Sequence, residues 1–264
     1  MADERDQVAE SRMSVAEHLE ELRSRVIRSL IYLAAAFALC LVFNREVMGI
    51  LLRQPLLVLK DLGYENPHFQ VLTPTEGFVT WLKLALVCAL IIASPLIARE
   101  LWRFISAGLY PHERKYVEIF GPVSYLLFLG GVAFLYFAVM PTALRFLFDF
   151  GLLDKVPGVE SEERVVKAIP QLSRFVSLYV TMSLLMGVVF ELPLFMLFFM
   201  AIGMVRPATF AKYRRHFIVG AVIVLAILSP TGDAPTLILI SLPVVVLYEA
   251  GIWLGRVLLE RRKS

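Results

Sequence analysis

Apolar residues in this 264-residue chain fall in long blocks, and the blocks set the architecture. Six of them carry almost no charge: Val26–Phe43, Phe78–Ala98 with Lys83 inside, Ile119–Leu144, Phe175–Val205 with Glu191 inside, Phe217–Gly232, and Ala234–Gly255 with Glu249 inside. A helix that crosses roughly 30 Å of hydrocarbon needs about 20 residues at about 1.5 Å each. The pattern predicts an all-α polytopic membrane protein with six transmembrane helices, the fifth and sixth short. At 16 residues the fifth block reaches only about 24 Å and calls for local thinning of the bilayer. The fourth, at 31 residues, has length to spare at an interface.

The polar stretches between the blocks are patterned too. Ser14-Val15-Ala16-Glu17 fits a capping box, with Ser14 as N-cap and Glu17 at N3. Leu19, Leu22 and Val26 follow at helical spacing, so a short amphipathic helix should lead into the first span. Glu17 and Glu21 stack on the face away from those leucines, with Arg25 and Arg28 one and two turns on. As it stands, Glu21–Arg25 is an ordinary i,i+4 pair worth a few tenths of a kcal/mol. A second polar stretch holds Phe104 and then Gly108-Leu109-Tyr110-Pro111-His112-Glu113-Arg114-Lys115. Pro111 suits the first turn of a helix, and Glu113 then sits where the macrodipole favours an anion. If Glu21 and Glu113 converge, they form a site for a cationic ligand, and a guanidinium would match a carboxylate bidentately.

Charge placement gives an orientation. Of the Lys and Arg residues, 17 fall in the N-terminal segment, the second and fourth loops and the C-terminal tail, against 8 in the first and third loops and none in the fifth. The positive-inside rule therefore puts both termini in the cytoplasm, in agreement with an even number of crossings. The chain opens with MADERDQVAESR, which has acids and no apolar stretch and so reads as no cleavable signal peptide. Residues 1–12 are expected to be a mobile cytoplasmic tail, and 13–264 a single membrane domain.

Composition agrees. Hydrophobic residues make up 58% and charged residues 19%, with a mean hydropathy of +0.72; soluble chains average roughly 45–50% and about 25%. A net charge of +3 is too small to argue for nucleic acid. Cys40 and Cys88 lie in apolar blocks and read as small hydrophobes, which excludes a disulfide scaffold.

Charges within the blocks carry more information. A carboxylate near the middle of a span costs about 2.5–3.5 kcal/mol on insertion scales, so Glu191 should face protein or water and is a functional candidate. Pro193, two residues on, invites a kink. Lys83 lies close enough to the end of its block to snorkel. Glu249 could pair with Arg256 two turns on, and Asp233 suits a tight outer turn. Pro55-Leu56-Leu57-Val58-Leu59 looks like an interfacial segment, and Asp149–Arg174 like a cap with helical pieces. The sequence contains no GxxxxGK[ST] or GxSxG, and its four histidines form no i,i+4 pair. Cofactors and metal are expected to be absent, and a transport component is favoured over an enzyme. A proton-coupled small-solute transporter using Glu191 is the alternative, although such transporters usually show internal repeats.

Four motifs occur in an order that resembles one family. Glu17-His18-Leu19-Glu20-Glu21-Leu22-Arg23-Ser24-Arg25 resembles the "HLxELRxR" opening of TatC, the multispan core of the twin-arginine protein translocase. Phe104 with Gly108–Lys115 resembles its "F…LYxHER" loop, Phe190-Glu191-Leu192-Pro193 its "FExP", and Leu228–Asp233 its "LTPxxD" turn. The resemblance runs from Met13 to about Gly255. It implies a receptor in the cytoplasmic (inner) membrane for paired-arginine signal peptides of folded precursors, driven by the proton-motive force. It also implies TatA- and TatB-type single-span partners and self-association. By the same resemblance, Glu21 and Glu113 meet the signal arginines, with Arg23, Phe104 and Arg114 in the same surface. Glu191 is the intramembrane carboxylate, and Pro55 and Asp233 belong to the outer caps. Four residues after the aspartate the family often has Gln; here the residue is Leu237.

Overall fold

The computed structural model describes residues 15–64, 66–109, 114–151, 170–228 and 234–260. Regular structure among them is helical, apart from one isolated parallel bridge between Gln70 and Gln171. The helices are α1 (Val15–Val42), α2 (Asn44–Asp61), α3 (Pro74–Ala107), α4 (Arg114–Phe134), α5 (Met140–Gly151), α6 (Leu172–Phe190), α7 (Leu192–Ala201), α8 (Pro207–Lys212), α9 (Arg214–Leu228) and α10 (Ala234–Glu260). A π-helical turn, Leu135–Val139, joins α4 to α5.

Five stretches are long and apolar enough to cross a membrane: Ala16–Val42, Pro74–Ala107, Val117–Phe148, Leu172–Ala201 and Leu237–Val257. These cover the expected first, second, third, fourth and sixth blocks. Of the fifth block, residues 217–228 lie in α9, whose 15 residues reach about 22 Å. The last helix is longer than its expected bounds: α10 has 27 residues, because Arg256 to Glu260 are good helix formers and nothing breaks the helix at Gly255. The amphipathic segment and the first span are one continuous helix of 28 residues. The expected interfacial segment is the second half of α2, an 18-residue helix in which Pro55 is buried.

Local chemistry sets the element ends. Thr73 caps α3 by accepting from the Glu76 amide, Pro74 occupies its first turn, and the Glu76 carboxylate reaches back to the Leu72 amide at 3.0 Å. The Glu76 carboxylate also accepts from Gln171 Nε2 at 2.8 Å, just before α6. Gln70 exchanges backbone hydrogen bonds with the residues flanking Gln171, donating to the Pro170 carbonyl and accepting from the Leu172 amide, both at 3.0 Å. One end of α3 is thus stapled to one end of α6. At the far end of α6 the chain bends: Glu191 is the junction residue, followed by Pro193 in the first turn of α7. This is the kink the sequence predicts, and the missing proline donor is its cause.

The main core lies where α2, α3, α6, α10 and the π turn meet, around Leu51, Leu84, Leu135, Val176, Met186 and Ile240. Helix α1 packs on α3 through small residues, Cys40 against Ala85 and Ala89. Helix α4 meets α6 where Gly131 lies against the Met186 carbonyl, an approach that leaves no room for a Cβ. Glu249 pairs with Arg214 of α9 at 2.6 Å and not with Arg256. Two turns along one helix separate groups by about 10 Å, whereas the start of α9 lies alongside. Lys83 donates to Ser177 Oγ of α6 at 3.4 Å. The tail 1–12, Ser14, Pro111, Glu113, Asp233 and most of 149–174 lie outside the described residues.

Candidate functional site

The middle of the charged stripe of α1, Glu21 and Arg25, faces inward, while Glu17 and Arg28 stay exposed. Leu19, Leu22 and Val26 are exposed, while Glu21 and Arg25 keep only 16% and 20% of their side-chain surface. In a bilayer this is the stable arrangement, since lipid solvates leucine and the charges need protein partners. The partner is Glu100 on α3, whose side chain is 3% exposed. Arg25 spans two carboxylates with one fork. Its Nη2 donates to Glu21 Oε1 at 2.9 Å, and its Nη1 donates to Glu100 Oε2 at 2.9 Å. Arg28 and Arg103 flank Glu100 at 3.9 and 4.0 Å. Glu21 Oε2 is buried without a hydrogen-bond partner.

Next to this network, His18 stacks on Phe104, with ring centroids 4.4 Å apart and planes 17° apart. Gly108 also closes on His18, with the ring carbon 3.9 Å from the position a Cβ would take. Two motifs far apart in sequence, around Glu21 and around Phe104, therefore form one surface. Arg23 stands outside it, largely exposed, with Glu20 at 3.7 Å. Arg114 is exposed at the start of α4 and donates Nε to the Leu109 carbonyl at 3.4 Å. Of the two acids expected to converge, Glu21 lies in this ion-pair network and Glu113 lies outside the described residues.

Sequence reasoning missed Glu100. It falls just past the second apolar block, between Arg99 and Arg103, and reads there as one more loop charge. The signal available was its position four residues before Phe104, on the same face of the same helix.

Glu191 is 8% exposed at the α6–α7 bend, with Oε2 unpartnered. It lines a cavity of about 340 Å³ between α3, α4 and the bend, walled by Leu90, Ile97, Leu101, Phe128, Val188 and Phe195. Ser124 is the hydroxyl turned toward it. Pro55 is buried within α2 on the same side of the bundle as Tyr136, whose hydroxyl donates to the Ile50 carbonyl at 3.0 Å.

A multi-pass helical membrane protein with a buried ion-pair network at one end and a half-satisfied carboxylate facing a cavity within the span is the class these features define. Comparison with known proteins gives the family. Residues 17–243 match the family described as Sec-independent protein translocase protein (TatC), and the chain belongs to that family. It is 34% identical over 257 residues to the Sec-independent protein translocase protein TatC of Aquifex aeolicus, covering 96% of this chain and 98% of that one. The Koribacter versatilis protein of the same name is 33% identical over 236 residues, 89% of this chain and 82% of its own. A crystal structure described as the twin arginine translocase receptor TatC superposes with a TM-score of 0.76 at 32% identity, covering 91% of this chain and 99% of that one.

Proposed function

We propose that this protein is the signal-peptide receptor and assembly core of a twin-arginine translocation system, exporting folded proteins across the cytoplasmic membrane with energy from the proton-motive force. Family membership supports this reading and leaves the small-solute transporter without support. The domain 13–264 crosses the membrane six times, with the short α9 as the fifth span and both termini in the cytoplasm. The end of the bundle bearing Glu21 and Phe104 is then the cytoplasmic face.

The observation that carries the proposal is the joint surface made by the His18–Phe104 stack and Glu21, whose second oxygen is unpartnered. That oxygen is an acceptor waiting for a donor, and a guanidinium of a signal peptide supplies one. Glu113 receives the second arginine, with Arg23 and Arg114 bordering the surface. The apolar stretch of the signal then enters the membrane beside Glu191. TatA- and TatB-type single-span helices gather around that concave face, and copies of the chain associate in the receptor complex. Pro55 and Asp233 shape the outer caps. Nothing in this sequence of events asks the chain for catalysis.

The test is site-specific crosslinking of a twin-arginine signal peptide to the purified receptor complex. Truncating one partner of a desolvated charge pair costs about 2–5 kcal/mol. The double variant Glu21→Ala/Glu113→Ala is therefore expected to lose capture by at least thirtyfold, roughly, at equal expression. Undiminished capture would refute the assignment of these two acids.

A further inference from the structure

A second cleft opens between α3 and α4 at the Glu21 end of the bundle. Its volume is about 580 Å³, and among the described residues its rim carries Arg99, Arg103 and Arg114 against one acid, Glu118. The three arginines are exposed and weakly held. Arg103 has Glu100 at 4.0 Å, Arg114 donates one nitrogen at 3.4 Å, and Arg99 pairs with no other among the described residues.

The floor of the cleft adds an independent sign. Trp102 is 1% exposed, and its Nε1 is buried with no hydrogen-bond partner. The adjoining indole carbon Cδ1 lies 3.9 Å from where a Cβ on Gly121 would sit, and Gly121 itself lines the cleft. A buried indole N–H without an acceptor costs about 1–3 kcal/mol. The cleft is therefore rich in donors, poor in acceptors and positively charged. That chemistry suits an anion with several oxygens.

The wall below the arginines is apolar. Pro95, Val117 and Pro122 line the cleft, and Tyr125 lines both it and the deeper Glu191 cavity. Tyr125 is the residue the two share, and along α3 the Glu191 cavity is lined by Leu90, Ser94, Ile97 and Leu101. Cationic donors at the rim and an apolar wall beside them are the two halves of a phospholipid site.

We propose that this cleft binds an anionic phospholipid of the adjoining leaflet. Arg99 and Arg103 grip its phosphate, the Trp102 N–H donates to a headgroup oxygen, and an acyl chain lies along the groove toward Tyr125. A basic pocket between spanning helices suits anionic headgroups, and guanidinium suits phosphate geometry. A twin-arginine peptide would be repelled by the same three guanidinium groups. The phosphate end of this site uses Arg99 and Arg103, not the two acids that take the signal arginines, and Arg114 is the residue it shares with the border of that surface.

The experiment is native mass spectrometry of the purified full chain delipidated and re-exposed to phosphatidylglycerol or phosphatidylcholine in detergent. The wild type is expected to retain phosphatidylglycerol preferentially. Arg99→Gln/Arg103→Gln should lose that affinity roughly thirtyfold. Gly121→Leu, which fills the cleft and keeps every arginine, should lose it too and decides the matter if the double variant does not fold. Millimolar inorganic phosphate should leave retention unchanged. Equal retention of the two lipids, full retention by Gly121→Leu, or displacement by free phosphate would each overturn the proposal.

Discussion

Replacing Glu100 by Gln tests whether the ion-pair network joins α1 to α3. Two unit charges about 4 Å apart attract by about 4 kcal/mol at an effective dielectric of about 20. Two facts reduce that figure here. Arg25 keeps 20% of its surface, so water screens part of the interaction. Glu100 also has Arg28 and Arg103 at 3.9 and 4.0 Å, so losing Arg25 leaves it compensated in part. The expected coupling between Glu100 and Arg25 is therefore about 2 kcal/mol, between the exposed range of about 0–1 and the buried range of about 3–5. The assay is a double-mutant cycle of Glu100→Gln and Arg25→Gln, read as unfolding free energy in mixed micelles by tryptophan fluorescence. The Glu20–Arg23 pair is the internal control, since both side chains are more than 70% exposed; its coupling should stay under about 0.5 kcal/mol. Equal coupling in the two pairs would mean that burial at Glu100 contributes nothing, and the argument would fail.

Two further outcomes follow from packing and burial. Gly131→Ala drives a methyl into the Met186 backbone and should destabilise by about 1–3 kcal/mol, roughly 2–10 °C in Tm, whereas Gly49→Ala, with open space around it, should not; matching melts for the two variants contradict the close α4–α6 approach. Glu191→Leu removes a buried carboxylate with an unpartnered oxygen and should hold or raise stability by up to about 2 kcal/mol while export falls; a destabilised variant with normal export would reverse both halves of that expectation.

The spans were legible because lipid imposes a simple rule on sequence: about 20 apolar residues in a row, with every exception conspicuous. Glu191 and Pro193 stood out for that reason, and the bend is where they put it. The side chains at the ends of the spans were harder to read. On α1 the spacing gave the correct two faces, but the sequence did not say which faced protein, and in a bilayer the polar one turns inward. Glu249 found Arg214 across a turn, a partner that depends on how α9 returns and not on spacing along α10. Glu100 carried no mark of its own because its importance comes from the register of α1 against α3. Phe104 was singled out by resemblance, and its stack on His18 depends on the packing of α1 against α3, which spacing along either helix does not reveal.

The staple among Gln70, Glu76 and Gln171 has a mechanical consequence. It pins α3 and α6 together at one end, some 28 Å of helix away from the Glu191 bend at about 1.5 Å per residue. Rods fastened at one tip can part only like the blades of scissors. Any widening between them is smallest at the fastening and grows toward the bend, so the gap opens first beside the acid, leaving the stapled end closed.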